Sequence, residues 1–227
     1  MSDTDADFHS GHRERLRQKF MNAQSSDAEK LELLLTYIIP RRDVRTLSRQ
    51  LFNRFGNISG IMTAPLEQLT EFGGLGKNTA IFFKLLNDLF VDGYKYKMSN
   101  QPIFYDHKLL ENYCLHLLSG KTVEEFHVLY LDSNMMLLAD ETNSVGTIDS
   151  SGVYPREIIV RAIAIKATHV VLLHNHPSGC ATFSESDKIA TTRLSVLMHD
   201  IGINLYDHFL VANGMLYSAK EMGMYVQ

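Results

Sequence analysis

The segment Val170-Val171-Leu172-Leu173 runs without a break into His174-Asn175-His176-Pro177-Ser178-Gly179, and this stretch constrains the fold of the 227-residue chain most tightly. Four consecutive apolar, partly β-branched residues suit a buried strand. Residues two apart in a strand project to the same face. His174 and His176 are thereby expected to aim both imidazoles at one point at the strand's end. Pro177 and Gly179 break the strand and turn the chain. Asp187 comes eleven residues after His176, with Ser184 three before it, at the head of a helical pattern. The turn brings that carboxylate back over the histidines. Two imidazoles, one carboxylate and an open fourth position make a zinc site of the catalytic type. Ser184-x-x-Asp187 also reads as a helix cap, with Ser184 at the N-cap and Asp187 in the first turn, and the two readings are compatible.

The back half around this strand alternates element types. Leu109, Leu110, Tyr113, Cys114 and Leu117 have helical spacing, and Gly120 stops that helix. Phe126 to Leu131 is strand-like, turned by Asp132-Ser133-Asn134 into a second strand, Met135 to Ala139. Pro155 opens a helix carrying Ile158, Ile159, Ala162 and Ile163. After the histidine strand come a helix from Glu185 to His199, a strand from Asn204 to Val211 and a hairpin at Asn213-Gly214. Strands alternating with covering helices predict an α/β domain around a mixed sheet over residues 106–227.

Residues 1–97 read as a helical domain. Leu31, Leu34, Leu35 and Ile38 form one helical face ended by Pro40, and Leu47, Leu51, Phe52 and Phe55 form another closed by Gly56. Pro65 starts a short helix. Asp92-Gly93 and the polar run that follows suggest a linker, drawn at residues 98–105. Charge differs between the halves: residues 1–97 hold 14 Lys+Arg against 12 Asp+Glu, and residues 98–227 hold 8 against 14. A basic front and an acidic back fit a front half that faces nucleic acid.

No apolar run reaches about 18 residues, so no membrane span is expected. The acidic, polar start from Met1 to Phe8 does not read as a signal peptide. Two cysteines, Cys114 and Cys180, cannot build a disulfide framework, and a cytoplasmic protein is the expectation.

His174-x-His176, ten residues, then Asp187, with Ser184 three before it, resembles the JAMM motif of MPN/JAB-domain zinc metalloproteases. The string His174 to Gly179, the opening Gly11-His12-Arg13-Glu14-Arg15 and the late Asp207-His208-Phe209-Leu210-Val211 look like the RadC branch of that group. The resemblance implies a JAB/MPN domain of cytidine-deaminase-like architecture behind a small all-α domain. It implies one Zn2+ per chain, held by His174, His176 and Asp187. Such proteins carry a glutamate near the first strand of the domain as general base. Val123-Glu124-Glu125-Phe126 offers two, and matching the pattern in register puts Glu124 in that role, with Glu125 on the opposite face.

The implied reaction is amide hydrolysis of a peptide or protein substrate, with an isopeptide bond suggested by family members that remove ubiquitin. The metal lowers the pKa of its water toward about 7 and polarises the scissile carbonyl. Glu124 takes the proton and returns it to the leaving amine. Ser184 donates to the developing oxyanion. Pro177, Ser178 and Gly179 shape the loop. Cys180 is an incidental loop residue or an extra soft ligand, and Asp207 and His208 are candidate outer partners of the ligands.

Phe72-Gly73-Gly74-Leu75-Gly76-Lys77 resembles the hairpin of a helix-hairpin-helix motif. Gly74 and Gly76 permit a tight turn, the next helix's N–H groups can hold a phosphate, and Lys77 adds a cation. Such contacts bind DNA without reading its sequence. The pattern of a Walker P-loop is not matched. A second function therefore stands beside hydrolysis: a DNA-associated repair or recombination accessory protein whose metal domain is mainly structural. A nucleobase deaminase is excluded, because it needs His-x-Glu and a Cys-x-x-Cys.

Overall fold

The computed structural model describes residues 3–40, 42–146 and 154–224, with side chains described from residue 11 onward. The chain forms two units, Met1–Leu86 and Asn87–Gln227.

The first unit is helical: α1 (Asp3–Met21), α2 (Asp27–Ile38), α3 (Arg45–Phe55), α4 (Ile58–Thr63), α5 (Leu66–Thr70) and the start of α6 (Lys77–Met98). A capping box opens α2, with Ser26 Oγ accepting from Glu29 N and Glu29 Oε2 accepting from Ser26 N at 3.0 Å. Gly56, at φ 81°, closes α3, because only glycine reaches the left-handed region cheaply. Sequence reading passed over α4. Its start is marked by Asn57, whose side chain accepts from Gly60 N at 2.7 Å. Leu31, Leu35, Leu47, Leu51, Ile61, Leu69, Leu75 and Phe83 meet in one core.

The second unit holds the end of α6, then α7 (His107–Leu118), β1 (Glu125–Leu131), β2 (Leu137–Val145), α8 (Pro155–Ala164), β3 (His169–Asn175), α9 (Glu185–His199), β4 (Asn204–Ala212) and β5 (Met215–Ser218). The strands form one mixed sheet in the order β2-β1-β3-β4-β5. Among the described strands only β3 and β4 run parallel, and α9 connects them, as a parallel pair requires a crossover. Both faces of the central strands are buried. Leu129, Leu131, Val171 and Leu173 pack with Leu110, Tyr113 and Cys114 of α7. Their alternates Val128, Tyr130, Val170 and Leu172 pack with Ile158 and Ala162 of α8 and Leu194 and Met198 of α9. This two-sided burial explains the unbroken apolar run of β3. The expected mixed α/β class is therefore the observed one.

The segment drawn as a linker at 98–105 starts at the last residue of α6 and leads to α7. Helix α6 continues through Asp92-Gly93 to Met98, since one glycine costs a helix interior only about 1 kcal/mol. Met98 and Ile103 are buried in the core against α7, so this polar-looking segment packs into the second unit. The second strand also runs further than expected, to Val145.

Candidate metal centre

His174 lies on the β3 face of Val170 and Leu172, toward α8 and α9, and is fully buried. His176 stands one residue past the strand, and its N–H still donates to Val211 O of β4 at 3.0 Å. That bond carries the strand direction one step further, so the two rings converge. The turn follows at once: Gly179 N donates to His176 O at 3.0 Å, and Gly179 takes φ 78°. Asn213, in the β4–β5 hairpin, donates from Nδ2 to Gly179 O at 2.7 Å and fastens this loop.

The loop returns the chain to the start of α9. Ser184 is the N-cap, and Asp187 closes a capping box in which Asp187 Oδ2 accepts from Ser184 N at 2.7 Å. The cap orients the carboxylate. Asp187 Oδ2 comes to 3.5 Å from His174 Nε2 and 3.4 Å from His176 Nε2, and the two Nε2 atoms are 3.2 Å apart. A tetrahedral ion with bonds of about 2.0–2.1 Å needs ligand-to-ligand edges of about 3.3–3.4 Å. The three measured edges fit that requirement. His176 Nδ1 donates to the Cys180 carbonyl at 2.9 Å, which leaves its Nε2 lone pair for the centre. Both the donor set and its spacing fit a metal ion.

Glu124 completes the group: its carboxylate and the three ligand atoms all lie within 4.8 Å of one another. Burial raises its pKa, His174 and His176 lower it, and Asp187 raises it further, with a net upward shift. Asp187 moves the other way. Burial alone would raise it, but hydrogen bonds from His174 and His176, when the imidazoles are protonated, outweigh that and hold it far below the usual carboxylate range. His176 is raised, chiefly by its hydrogen bond with Asp187.

The two adjacent glutamates diverge. Glu125 pairs with Lys121 at 3.1 Å and His127 at 3.4 Å, and Glu124 alone of the two joins the histidines. Ser184 Oγ accepts from Asp187 N at 3.1 Å and donates to Asp187 Oδ2 at 2.6 Å, so its oxygen serves the cap and its proton the carboxylate. The Cys180 thiol turns to Thr182 Oγ1 at 3.1 Å and stands outside the ligand group. The carbonyl of Cys180 is what touches the site. Asp207 is engaged with Ser218, Lys220 N and His208 N, whereas His208 Nε2 lies 2.8 Å from His174 Nδ1. Gly74, Gly76 and Lys77 belong to the first unit and are exposed. Gly74 takes φ 91° while Leu75 is buried in the helical core.

Two residues of the site escaped sequence reading. Asn175 accepts from Glu125 N at 2.9 Å through Oδ1 and donates to Val123 O at 3.1 Å through Nδ2. It therefore grips the peptide units on both sides of Glu124. Thr191 Oγ1 lies 2.6 Å from His208 Nδ1. Its position four residues after Asp187, on the same side of α9, was the available signal.

Comparison with known proteins agrees with this geometry. Residues 104–224 match the family described as the RadC-like JAB domain. The UPF0758 protein FN0909 of Fusobacterium nucleatum subsp. nucleatum is 36% identical over 94% of this chain and 97% of its own length. The UPF0758 protein SPO0054 of Ruegeria pomeroyi is 35% identical over 93% of this chain and 96% of its own. With a matched region that contains every member of the candidate centre, the chain belongs to the RadC-like JAB domain family.

Proposed function

We propose that the second unit is a zinc-dependent metallohydrolase that cleaves an amide bond, in a peptide or between a side chain and a peptide. The observation that carries this reading is the grouping of Glu124 with His174, His176 and Asp187. Three of these have tetrahedral edge lengths, and the fourth is a half-buried carboxylate beside them. A purely structural site would close its fourth position with another firm ligand.

When bound, zinc supplies Lewis acidity, polarising a carbonyl and making a water acidic near neutral pH. His174, His176 and Asp187 would hold it. Glu124 accepts the proton of the attacking water and delivers it to the departing amine. Its place beside the ligand atoms suits that exchange. Ser184 donates to the developing oxyanion once its proton leaves Asp187 Oδ2, and meanwhile it keeps that carboxylate oriented.

The purified chain is expected to hold about one zinc, lost when His174 and His176 are both replaced by Ala. Glu124→Gln is expected to retain zinc while its cleavage products, compared with wild type across a proteome, fall by about two to four orders of magnitude. Wild type without zinc, or unchanged products from Glu124→Gln, would defeat the reading.

The first unit supports a second activity. Its Gly74-Leu75-Gly76 turn buries Leu75 and leaves Gly76 and Lys77 exposed at the start of α6, a geometry suited to backbone phosphates and hence to DNA of any sequence. Affinity for duplex DNA should then fall steeply with salt and weaken in Lys77→Ala. Binding that is absent or indifferent to salt would remove this activity.

A further inference from the structure

Behind His174 a chain of hydrogen bonds runs back to the residue that supplies the third ligand. Thr191 Oγ1 donates to Asp187 O at 2.6 Å, and a carbonyl can only accept. With its proton committed there, the Thr191 oxygen must accept from His208 Nδ1, 2.6 Å away. His208 thus carries a hydrogen on Nδ1. It is fully buried, with the rings of Phe126 and Phe183 set edge-on at 5.7 and 5.2 Å. Such an apolar enclosure disfavours a second proton. Its Nε2 is then a lone pair, 2.8 Å from His174 Nδ1, and can only accept.

We infer that Thr191 and His208 are positioning residues that keep the hydrogen of His174 on Nδ1, so that His174 Nε2 presents a lone pair to His176 Nε2 and Asp187 Oδ2. The circuit closes on Asp187. Its backbone carbonyl starts the relay, and its carboxylate faces the ring nitrogen that the relay leaves free. The opposite tautomer would place an N–H among the ligand atoms and block the centre. A ring held this way needs no reorientation to bind an ion. The inference rests on the proposed metal centre, but the protonation pattern can be read without metal.

The test uses the full chain with Thr191→Val, His208→Leu and His208→Gln. Thr191→Val is nearly isosteric and alters no atom of the ligand group. It removes the acceptor that fixes His208. His208→Gln places an amide oxygen near the lost Nε2 and can still accept from His174. Two-bond nitrogen–proton NMR correlation of the chelator-treated protein is expected to show His174 protonated on Nδ1 in wild type and His208→Gln. In Thr191→Val the proton should move in part to Nε2. Zinc affinity from chelator competition should drop about 10–100-fold in Thr191→Val and His208→Leu and only a few-fold in His208→Gln. A wild-type His174 protonated on Nε2, or Leu and Val variants binding zinc like wild type, would overturn the relay. A wild type that keeps the Nδ1 proton but binds no zinc would overturn the metal centre and leave the relay standing. If Thr191→Val does not fold, the contrast between Leu and Gln at 208 decides.

Discussion

At the scale of single residues, the position of Glu124 depends on backbone contacts made by another side chain. Glu124 precedes β1, beyond the last regular β1–β3 pairing of Phe126 with His174. Asn175 replaces the missing ladder bonds by holding Val123 O and Glu125 N, while Glu124 O accepts from Gly146 N at 2.8 Å. Replacing Asn175 by Ala is therefore expected to retain zinc but to lower kcat by about 10–100-fold, the scale of a misplaced reacting group. Loss of zinc to the same extent as in His176→Ala would show that Asn175 serves the ligands instead. Strand alternation puts Glu124 and Glu125 on opposite faces, and the register of the family pattern is what singles out Glu124. The role of Asn175 was not legible in the same way. Its partners are backbone atoms about fifty residues away, and no periodicity records them.

At the scale of elements, the site is held where three chain reversals meet. The α9 cap aims Asp187, the Pro177–Gly179 turn leaves β3, and the β4–β5 hairpin locks that turn through Asn213. Sequence reading found all three, because capping residues, proline and Asn-Gly act locally. It missed their mutual locking, which is a tertiary contact. A Cβ added at Gly179 would stand 2.4 Å from Asn213 Oδ1 on a backbone at φ 78°. Gly179→Ala should accordingly cost about 1–3 kcal/mol in denaturant unfolding, and a neutral result would mean that the loop relaxes freely. On the α7 face of the sheet, Asp140 meets Tyr113 OH and Lys95 Nζ, the latter at 3.0 Å. Burial raises Asp140, but hydrogen bonds from His127, Tyr113 and Lys95 prevail and lower its pKa below the ordinary aspartate value. A depressed carboxylate stabilises the fold above its unfolded pKa, about 3.9, and that stability is lost as pH falls through the lower folded value. Asp140→Asn should therefore unfold more readily at neutral pH and differ progressively less from wild type as the pH falls below about 4. A gap that widens with acid would contradict the sign.

For the whole molecule, the helical unit and the sheet unit each have a core of their own, yet the division between them lies at Leu86/Asn87, inside α6. A helix that passes from one unit into the next carries no compositional break. Composition therefore points to the polar residues further on and not to a position within the helix. The proposed ligands all lie in Asn87–Gln227, so metal binding should stabilise that unit alone. Zinc at about one hundred times its dissociation constant adds about 2.7 kcal/mol to the state that binds it. For a unit of this size that corresponds to a rise of about 5–10 °C in Tm. Calorimetry of the chelator-treated chain, with and without added zinc, should show one transition that moves and one that stays. The movement should vanish when His174 and His176 are both Ala. Equal shifts of both transitions would mean that α6 couples the units into one cooperative body. No shift at all, with zinc shown to be bound, would place the ion on the unfolded chain as firmly as on the folded one, and the centre would lose its claim to being preformed by the fold.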